Sequence, residues 1–200
     1  MRTTLLQTLL PLTCPGCGAP GEPTCARCAE ALSPAPSAPP PASVDAWCAA
    51  YAYEGVAREL VARVKYRGAH AATAFLAESM APLVSPPLPH VVTWAPTTPA
   101  RRRQRGFDHA ELLARAVASL VHRPVRRLLT RVPGPAQTGL PAAARRRGPV
   151  FAARGRIPAS VLLLDDVATT GATLSAAAVA LRARGASTVV ALTAARTPGR

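Results

Sequence analysis

Apolar residues follow two alternating patterns along the chain from about residue 46 onward. Short continuous apolar runs are typical of buried parallel strands, and apolar residues that return every three to four positions are typical of helices with one buried face. The runs predict strands at 46–53, 90–95, 160–166 and 187–195, and the periodic stretches predict helices at 54–66, 72–80, about 108–120 and 171–184. Strands that alternate with helices indicate an α/β fold with a parallel sheet.

Two cysteine pairs stand before this region, Cys14-x-x-Cys17 and Cys25-x-x-Cys28. Two residues between cysteines let both thiolates bind one tetrahedral Zn²⁺. Two disulfides are the alternative. We expect no export signal in 1–14, and the reducing compartment that this implies favours zinc. Four thiolates leave no position for water, so the sequence predicts a structural zinc knuckle within residues 1–32.

The stretch 33–45 is dominated by proline, which fixes φ and removes backbone donors. It predicts a stiff, extended linker between the knuckle and a main domain at 46–200. No apolar run of about 18 residues without charge or proline occurs, so we expect no membrane span and a cytoplasmic protein.

A third feature is the junction between the predicted strand at 160–166 and the helix that follows it. The strand ends in two acids and leads into the loop Asp165, Asp166, Val167, Ala168, Thr169, Thr170, Gly171, Ala172 and Thr173. Unpaired N–H groups and the dipole at a helix N-terminus favour an anion, and threonine hydroxyls add donors. The two acids are expected to face one crevice at the carboxyl end of the sheet, where they would accept ribose hydroxyls. The alternative is an ordinary turn with capping threonines.

The charge balance indicates a polyanionic partner. Lys and Arg number 24 against 10 Asp and Glu, which gives a net charge of +14 and a pI near 11.3. The arginines form blocks that include Arg101, Arg102, Arg103 and Arg105, and Arg145, Arg146 and Arg147. Solvated loops in an arginine-rich composition are the alternative. Aromatic residues make up only 4% of the chain, so few side chains could stack on nucleic-acid bases. Phe107 is the best placed of them.

These motifs together carry a resemblance to known families. The run 161–173 resembles the phosphoribosyl-pyrophosphate (PRPP) signature of type I phosphoribosyltransferases. The chain from 14 to 196 resembles the ComF family of competence-associated proteins, in which an N-terminal zinc knuckle precedes a phosphoribosyltransferase-like domain. Its further marks are Tyr53-Glu-Gly55, Lys65-Tyr-Arg-Gly68, Arg105-Gly-Phe107, Gln137-Thr-Gly-Leu140 and the stretch from Arg145 to Phe151. The family usually reads R-G-F-N-Q, where this chain has Asp108-His109 in place of the last two residues.

The resemblance implies roles for particular residues. Asp165 and Asp166 would be the catalytic pair that holds the ribose hydroxyls, and Val167 to Thr173 would cradle the 5′-phosphate. Lys65 and Arg105 would lie at the pyrophosphate end, and Mg²⁺ would accompany the PRPP.

Two functions follow as expectations. As a binding module, a ComF-like protein would bind PRPP, or a related ligand, and single-stranded DNA in DNA uptake and natural transformation. Arg101–Arg103, Phe107 and Arg145–Arg147 would contact the DNA, and a DNA-translocating helicase would be a partner. As an active phosphoribosyltransferase in nucleotide or cofactor salvage, it would transfer ribose-5-phosphate from PRPP to an unknown nitrogen acceptor.

Overall fold

The structure, a computed structural model, describes residues 13–20, 24–67, 70–132 and 148–198. Its helices and strands alternate along most of the chain, as the apolar pattern predicts. In chain order they are α1 Ala26–Glu30, β1 Ala46–Ala52, α2 Gly55–Arg67, α3 His70–Met80, a 3₁₀ turn Ala81–Leu83, β2 Val91–Trp94, α4 Pro99–Arg105, α5 His109–Leu120, β3 Leu129–Arg131, β4 Phe151–Ala153, β5 Ser160–Ala168, α6 Ala172–Arg182 and β6 Thr188–Arg196.

A four-stranded parallel sheet forms the centre of the molecule, in the order β1-β6-β5-β2. The two central strands, β5 and β6, have a neighbour on each side and are buried on both faces. Their near-continuous apolar sequences suit this position. The α/β fold with a parallel sheet predicted from the sequence is therefore confirmed.

Two layers cover the sheet because successive strand residues point to opposite faces. Leu162 and Leu164 pack with α2, α3 and α5 on one face. Val161 and Leu163 pack with α6 and with the antiparallel pair of β3 and β4 on the other. None of the helices in the described part of the chain has the length and apolar character that a membrane-spanning helix requires.

The proline-rich stretch lies against the sheet and is not a detached spacer. Pro34 forms an antiparallel bridge with Tyr51, and the Ala35 N–H donates to the Ala50 carbonyl. Proline removes donors but keeps its carbonyl, and the Pro36 carbonyl accepts from the Arg196 side chain. Residues 33–36 therefore lie along the outer edge of β1.

The first arginine block is not a loop, the alternative that the sequence leaves open, because it forms the helix α4. The Thr98 hydroxyl accepts from the Arg101 N–H, and Pro99 occupies the first helical position. Gly106 ends the helix in the left-handed region, with φ of 80°. The arginines consequently project from a fixed helix.

Candidate functional site

The two acids lie within β5, which continues past them to Ala168. Val167 pairs with Ala195, and Ala168 pairs with Arg196 of β6. Consecutive strand residues point to opposite faces, which puts Asp166 on the face of Leu162 and Leu164, and Asp165 on the other. The expectation that both carboxylates face one crevice is therefore wrong, and Val167 and Ala168 are strand residues rather than loop residues.

Asp166 is the centre of a buried ionic cluster. Its Oδ2 lies 2.9 Å from Lys65 Nζ of α2 and 2.9 Å from His109 Nε2 of α5. Its Oδ1 accepts from the Val167 N–H at 2.7 Å. Burial would raise the pKa of this carboxyl, but His109 and Lys65 outweigh burial and hold the pKa well below its usual range. Asp166 is therefore ionised and fixed in orientation.

Asp165 has the opposite electrostatic character, although it is also buried. Its Oδ1 accepts from the Asp166 N–H at 2.9 Å. Burial, followed by the neighbouring Asp166 charge, raises the pKa of Asp165 well above its ordinary value. Two adjacent carboxyl groups thus have pKa values pushed apart, a pattern that clusters at functional sites.

The loop after β5 leads directly into α6. Thr169 and Thr170 are exposed, and the Thr170 hydroxyl accepts from the Ala172 N–H at 3.4 Å. Gly171 is buried and adopts φ of 73°, which favours glycine. A Cβ at Gly171 would lie 2.6 Å from the Pro41 ring, so the proline-rich stretch contacts this loop.

A cationic cleft of about 690 Å³ lies between α4 and the β3–β4 pair. Its lining includes the five arginines Arg102, Arg103, Arg127, Arg131 and Arg154, with Thr97 and Thr130. Partial burial and the nearby Arg101 lower the pKa of Arg131, and the Asp165 charge opposes this effect. The cleft is thus a concentration of guanidinium groups, one of which the Asp165 charge reaches, and it is suited to a multiply charged anion.

The predicted cations at the pyrophosphate end have other partners. Lys65 pairs with Asp166, and Arg105 lies 3.0 Å from His109 Nδ1 through its Nη1. Arg101, Arg102 and Arg103 are exposed on α4, and Phe107 is half-buried. Arg145, Arg146 and Arg147 lie outside the described residues.

Sequence reasoning assigns no site role to four side chains of this region. His109 stands in a motif position, but nothing local to it indicates that it reaches Asp166. Arg127 and Arg131 belong to a further arginine block with Arg126, for which a solvated loop is the alternative, and Arg154 has no signal beyond the arginine-rich composition. All three of Arg127, Arg131 and Arg154 line the cleft.

The four cysteines come together at the N-terminal end of the described chain. The sulfur atoms of Cys14, Cys17, Cys25 and Cys28 all lie within 4.8 Å of one another, and Cys17 Sγ is 3.7 Å from Cys25 Sγ. Tetrahedral Zn–S bonds of about 2.3 Å place sulfur atoms about 3.8 Å apart, which this cluster matches. The cluster can therefore hold one zinc ion with four thiolates.

Backbone donors support the thiolate form at this cluster. Burial raises the pKa of the Cys14 thiol, but N–H groups of Cys25, Cys17 and Gly16 outweigh burial and lower the pKa to about 6. The Cys25 N–H donates to Cys14 Sγ at 3.4 Å. Burial, with hydrogen bonds that the Cys28 thiol donates to the other cysteine sulfur atoms, raises the pKa of Cys28 to about 12. Arg27 hydrogen-bonds to Cys17, which offsets part of the negative charge of four thiolates.

The chain is similar to several solved structures. A scan of family models and a search of the curated proteins gave no match. An allosteric regulatory enzyme of purine biosynthesis is 20% identical with a TM-score of 0.44, covering 67% of this chain and 30% of that one. Purine phosphoribosyltransferase from Pyrococcus horikoshii Ot3 is 17% identical with a TM-score of 0.37, and the match covers 69% of this chain and 83% of that one. Trypanosoma cruzi hypoxanthine phosphoribosyl transferase is 16% identical with a TM-score of 0.38, and the match covers 72% of this chain and 76% of that one.

Proposed function

We propose that the chain binds PRPP, or a closely related phosphoribosyl ligand, at the carboxyl end of β5. The observation that carries the proposal is the junction itself. Two buried carboxyl groups with opposite pKa shifts precede the loop into α6, and the charge of Asp165 acts on Arg131, one of five arginines that line the cleft. The N-terminus of α6, the carboxyl groups and the cleft suit three different portions of PRPP, which are the 5′-phosphate, the ribose hydroxyls and the diphosphate.

The 5′-phosphate would be held by the loop 169–173. N–H groups in the first turn of α6 have no partner within the helix, and the helix dipole favours a negative charge there. The hydroxyls of Thr169, Thr170 and Thr173 supply further donors. This arrangement supports the phosphate role that the resemblance implies for these residues.

The ribose hydroxyls would be bound by the carboxyl groups. Asp166 is an ionised acceptor fixed by Lys65 and His109. Asp165, with its raised pKa, can be protonated, and a protonated carboxyl both donates and accepts hydrogen bonds. Because the two carboxyl groups lie on opposite faces of β5, one sugar would reach both only across the carboxyl end of the strand, where Asp165 could donate as well as accept and Asp166 could only accept.

The diphosphate would lie in the cleft between α4 and the β3–β4 pair. Guanidinium groups bind phosphate oxygens through paired hydrogen bonds. Mg²⁺ would reach the site bound to the diphosphate.

Thermal denaturation with Mg²⁺-PRPP tests the proposal. Ligand at about 100 times its Kd adds about 2.7 kcal/mol, which raises Tm by roughly 5–11 °C for a chain of this size. Arg131→Met should reduce the shift with PRPP and leave the smaller shift with ribose 5-phosphate unchanged. The matched control is Arg184→Met, which removes an exposed arginine after the far end of α6. An unchanged Tm of the wild-type protein in PRPP would contradict the proposal.

Turnover is a separate question from binding. As an active phosphoribosyltransferase in nucleotide or cofactor salvage, the chain would release pyrophosphate when a nitrogen acceptor attacks the ribose carbon. Fixed charges would stabilise the oxocarbenium-like transition state. A screen for pyrophosphate release over candidate acceptor bases tests this activity. Release that survives Asp166→Asn would exclude the site proposed here.

Single-stranded DNA is a second candidate ligand, favoured by the exposed arginines of α4. We propose it together with the role that the ComF resemblance implies: DNA uptake and natural transformation in the cytoplasm, with a DNA-translocating helicase as partner. DNA affinity should fall steeply with salt because phosphate contacts release counterions. Replacing Arg101, Arg102 and Arg103 by alanine should reduce that slope by about three. Binding with no salt dependence would contradict this candidate.

A further inference from the structure

We infer that His109 is a positioning residue for Asp166, held by Arg105 in the neutral form that carries its hydrogen on Nε2. The ligand-binding consequence of this inference rests on the proposed function. The hydrogen-bond arrangement itself does not, because it is a property of the protein without ligand. Two contacts of the imidazole, with Arg105 of α4 and with Asp166 of β5, carry the argument.

The first contact fixes the tautomer of the imidazole. Arg105 Nη1 of α4 lies 3.0 Å from His109 Nδ1. A guanidinium has only donors, so Nδ1 must be the acceptor in this pair. An imidazole whose Nδ1 accepts is not doubly protonated, and its hydrogen is on Nε2.

The second contact uses that hydrogen. His109 Nε2 lies 2.9 Å from Asp166 Oδ2. His109 is only 8% exposed and Asp166 is 5% exposed, so water competes little for this close contact between Nε2 and Oδ2. A neutral donor next to a buried carboxylate stabilises the charge without adding a full positive charge on the imidazole.

The other charged groups around the imidazole agree with this assignment. Lys65 of α2 lies on the same oxygen, Asp166 Oδ2, at 2.9 Å. Asp108, the residue before His109, uses Oδ1 to accept from the Ala110 N–H and Oδ2 to accept from the Thr97 N–H. Asp108 therefore caps α5 and fixes its first residue, His109, while Asp166 takes the Nε2 hydrogen.

The consequence is a carboxylate held at both oxygens. His109 and Lys65 hold Oδ2, and the Val167 N–H holds Oδ1. A binding group is effective when surrounding hydrogen bonds fix its orientation before the ligand arrives. Arg105 thus acts on Asp166 through His109, a role different from the direct contact with pyrophosphate that the resemblance implies.

Nitrogen-detected NMR of the imidazole tests the tautomer without any ligand. At near-neutral pH, His109 should show a protonated Nε2 and an unprotonated Nδ1. Arg105→Met, which keeps the aliphatic stem and removes the donor, should lose this preference. A doubly protonated ring or hydrogen on Nδ1 in the wild-type protein would overturn the inference.

Substitution of His109 tests the positioning role. Glutamine keeps a neutral N–H donor at about the reach of Nε2, whereas asparagine and leucine do not provide one at that distance. His109→Gln should bind Mg²⁺-PRPP within about threefold of wild type, and His109→Asn and His109→Leu should bind about tenfold more weakly, the usual effect of losing a hydrogen bond to a charged group. The control is His90→Leu, an exposed histidine just before β2, at the opposite end of the sheet.

The pH titration of the Asp166 carboxyl carbon signal distinguishes this inference from the proposed function. The titration should move to higher pH in His109→Asn and stay near the wild-type position in His109→Gln. An unchanged titration in His109→Asn overturns the inference, even where wild-type protein binds PRPP. A wild-type protein that binds no PRPP overturns the proposed function, and the carboxyl titration then still decides whether His109 positions Asp166.

Discussion

Replacing Asp166 by asparagine removes the negative charge on which Lys65 and His109 converge. Lys65 is left facing a neutral amide, with its side chain only 21% exposed. Removing one partner of a buried ion pair costs about 3–5 kcal/mol, and the partial exposure of Lys65 favours the lower end of that range. Each kcal/mol changes Tm by roughly 2–4 °C for a chain of this size, so a fall of about 6–12 °C is expected.

Replacing Asp165 by asparagine should have the opposite effect at neutral pH. Burial and the Asp166 charge raise the pKa of Asp165, so ionisation of this group is less favourable in the folded than in the unfolded protein. Asparagine keeps an oxygen that can accept from the Asp166 N–H and removes the penalty of ionisation. Asp165→Asn should therefore unfold at a higher temperature than wild type.

The pH dependence separates the two effects by their sign. The lowered pKa of Asp166 gives stability that is fully present above the ordinary Asp pKa of about 4 and is lost as pH falls through the folded value. The raised pKa of Asp165 costs stability that appears as pH rises above about 4. Both variants should therefore approach wild-type stability in acid.

Thermal and urea denaturation of the two variants over a pH series provide the assay. The control is Glu111→Gln, which removes the partly exposed pairs of Glu111 with Arg115 and Arg102 and should change stability by less than about 1 kcal/mol. The reasoning is refuted if Asp166→Asn is as stable as wild type at neutral pH, or if Asp165→Asn is the less stable of the two.

Three further predictions concern other parts of the molecule. Purified protein should contain one zinc ion per chain by elemental analysis, and Cys14→Ser should lose it; zinc-free protein with two disulfides would contradict the knuckle. Gly171→Ala should lower the free energy of unfolding in urea by about 1–3 kcal/mol, because residue 171 has a φ of 73°. Adding Pro41→Gly should recover only the part of this loss that comes from the clash with the Pro41 ring. Full stability of Gly171→Ala would contradict the contact between Gly171 and Pro41. Thr98→Ala should cost about 1 kcal/mol by loss of the cap to the Arg101 N–H, with no change in zinc content.

The sequence predicts the parallel sheet well because its central strands are continuous apolar runs. The end of β5 is harder to predict, because a sequence that reads as a loop after two acids is held in the sheet by pairing with β6. The strands β3 and β4 have three residues each and stand far apart in the chain, too short for a periodic pattern. The division into 1–32, 33–45 and 46–200 stays a prediction.

The candidate site is predicted only in part for a related reason. Cys14 to Cys28 are close in sequence, so their spacing alone indicates a shared metal, and the cluster is present. The contact between His109 and Asp166 joins α5 to β5, and only the packing of α5 on the sheet brings the two together. A sequence can show which residues carry chemistry, whereas tertiary packing decides which of them meet.

Phosphorus NMR of Mg²⁺-PRPP titrated with the protein tests the central claim most directly, because it reports on both ends of the ligand at once. The account predicts that the 5′-phosphate and diphosphate resonances both shift or broaden, and that Arg131→Met weakens the effect on the diphosphate more than that on the 5′-phosphate. Resonances that stay unchanged at an excess of wild-type protein would contradict the account.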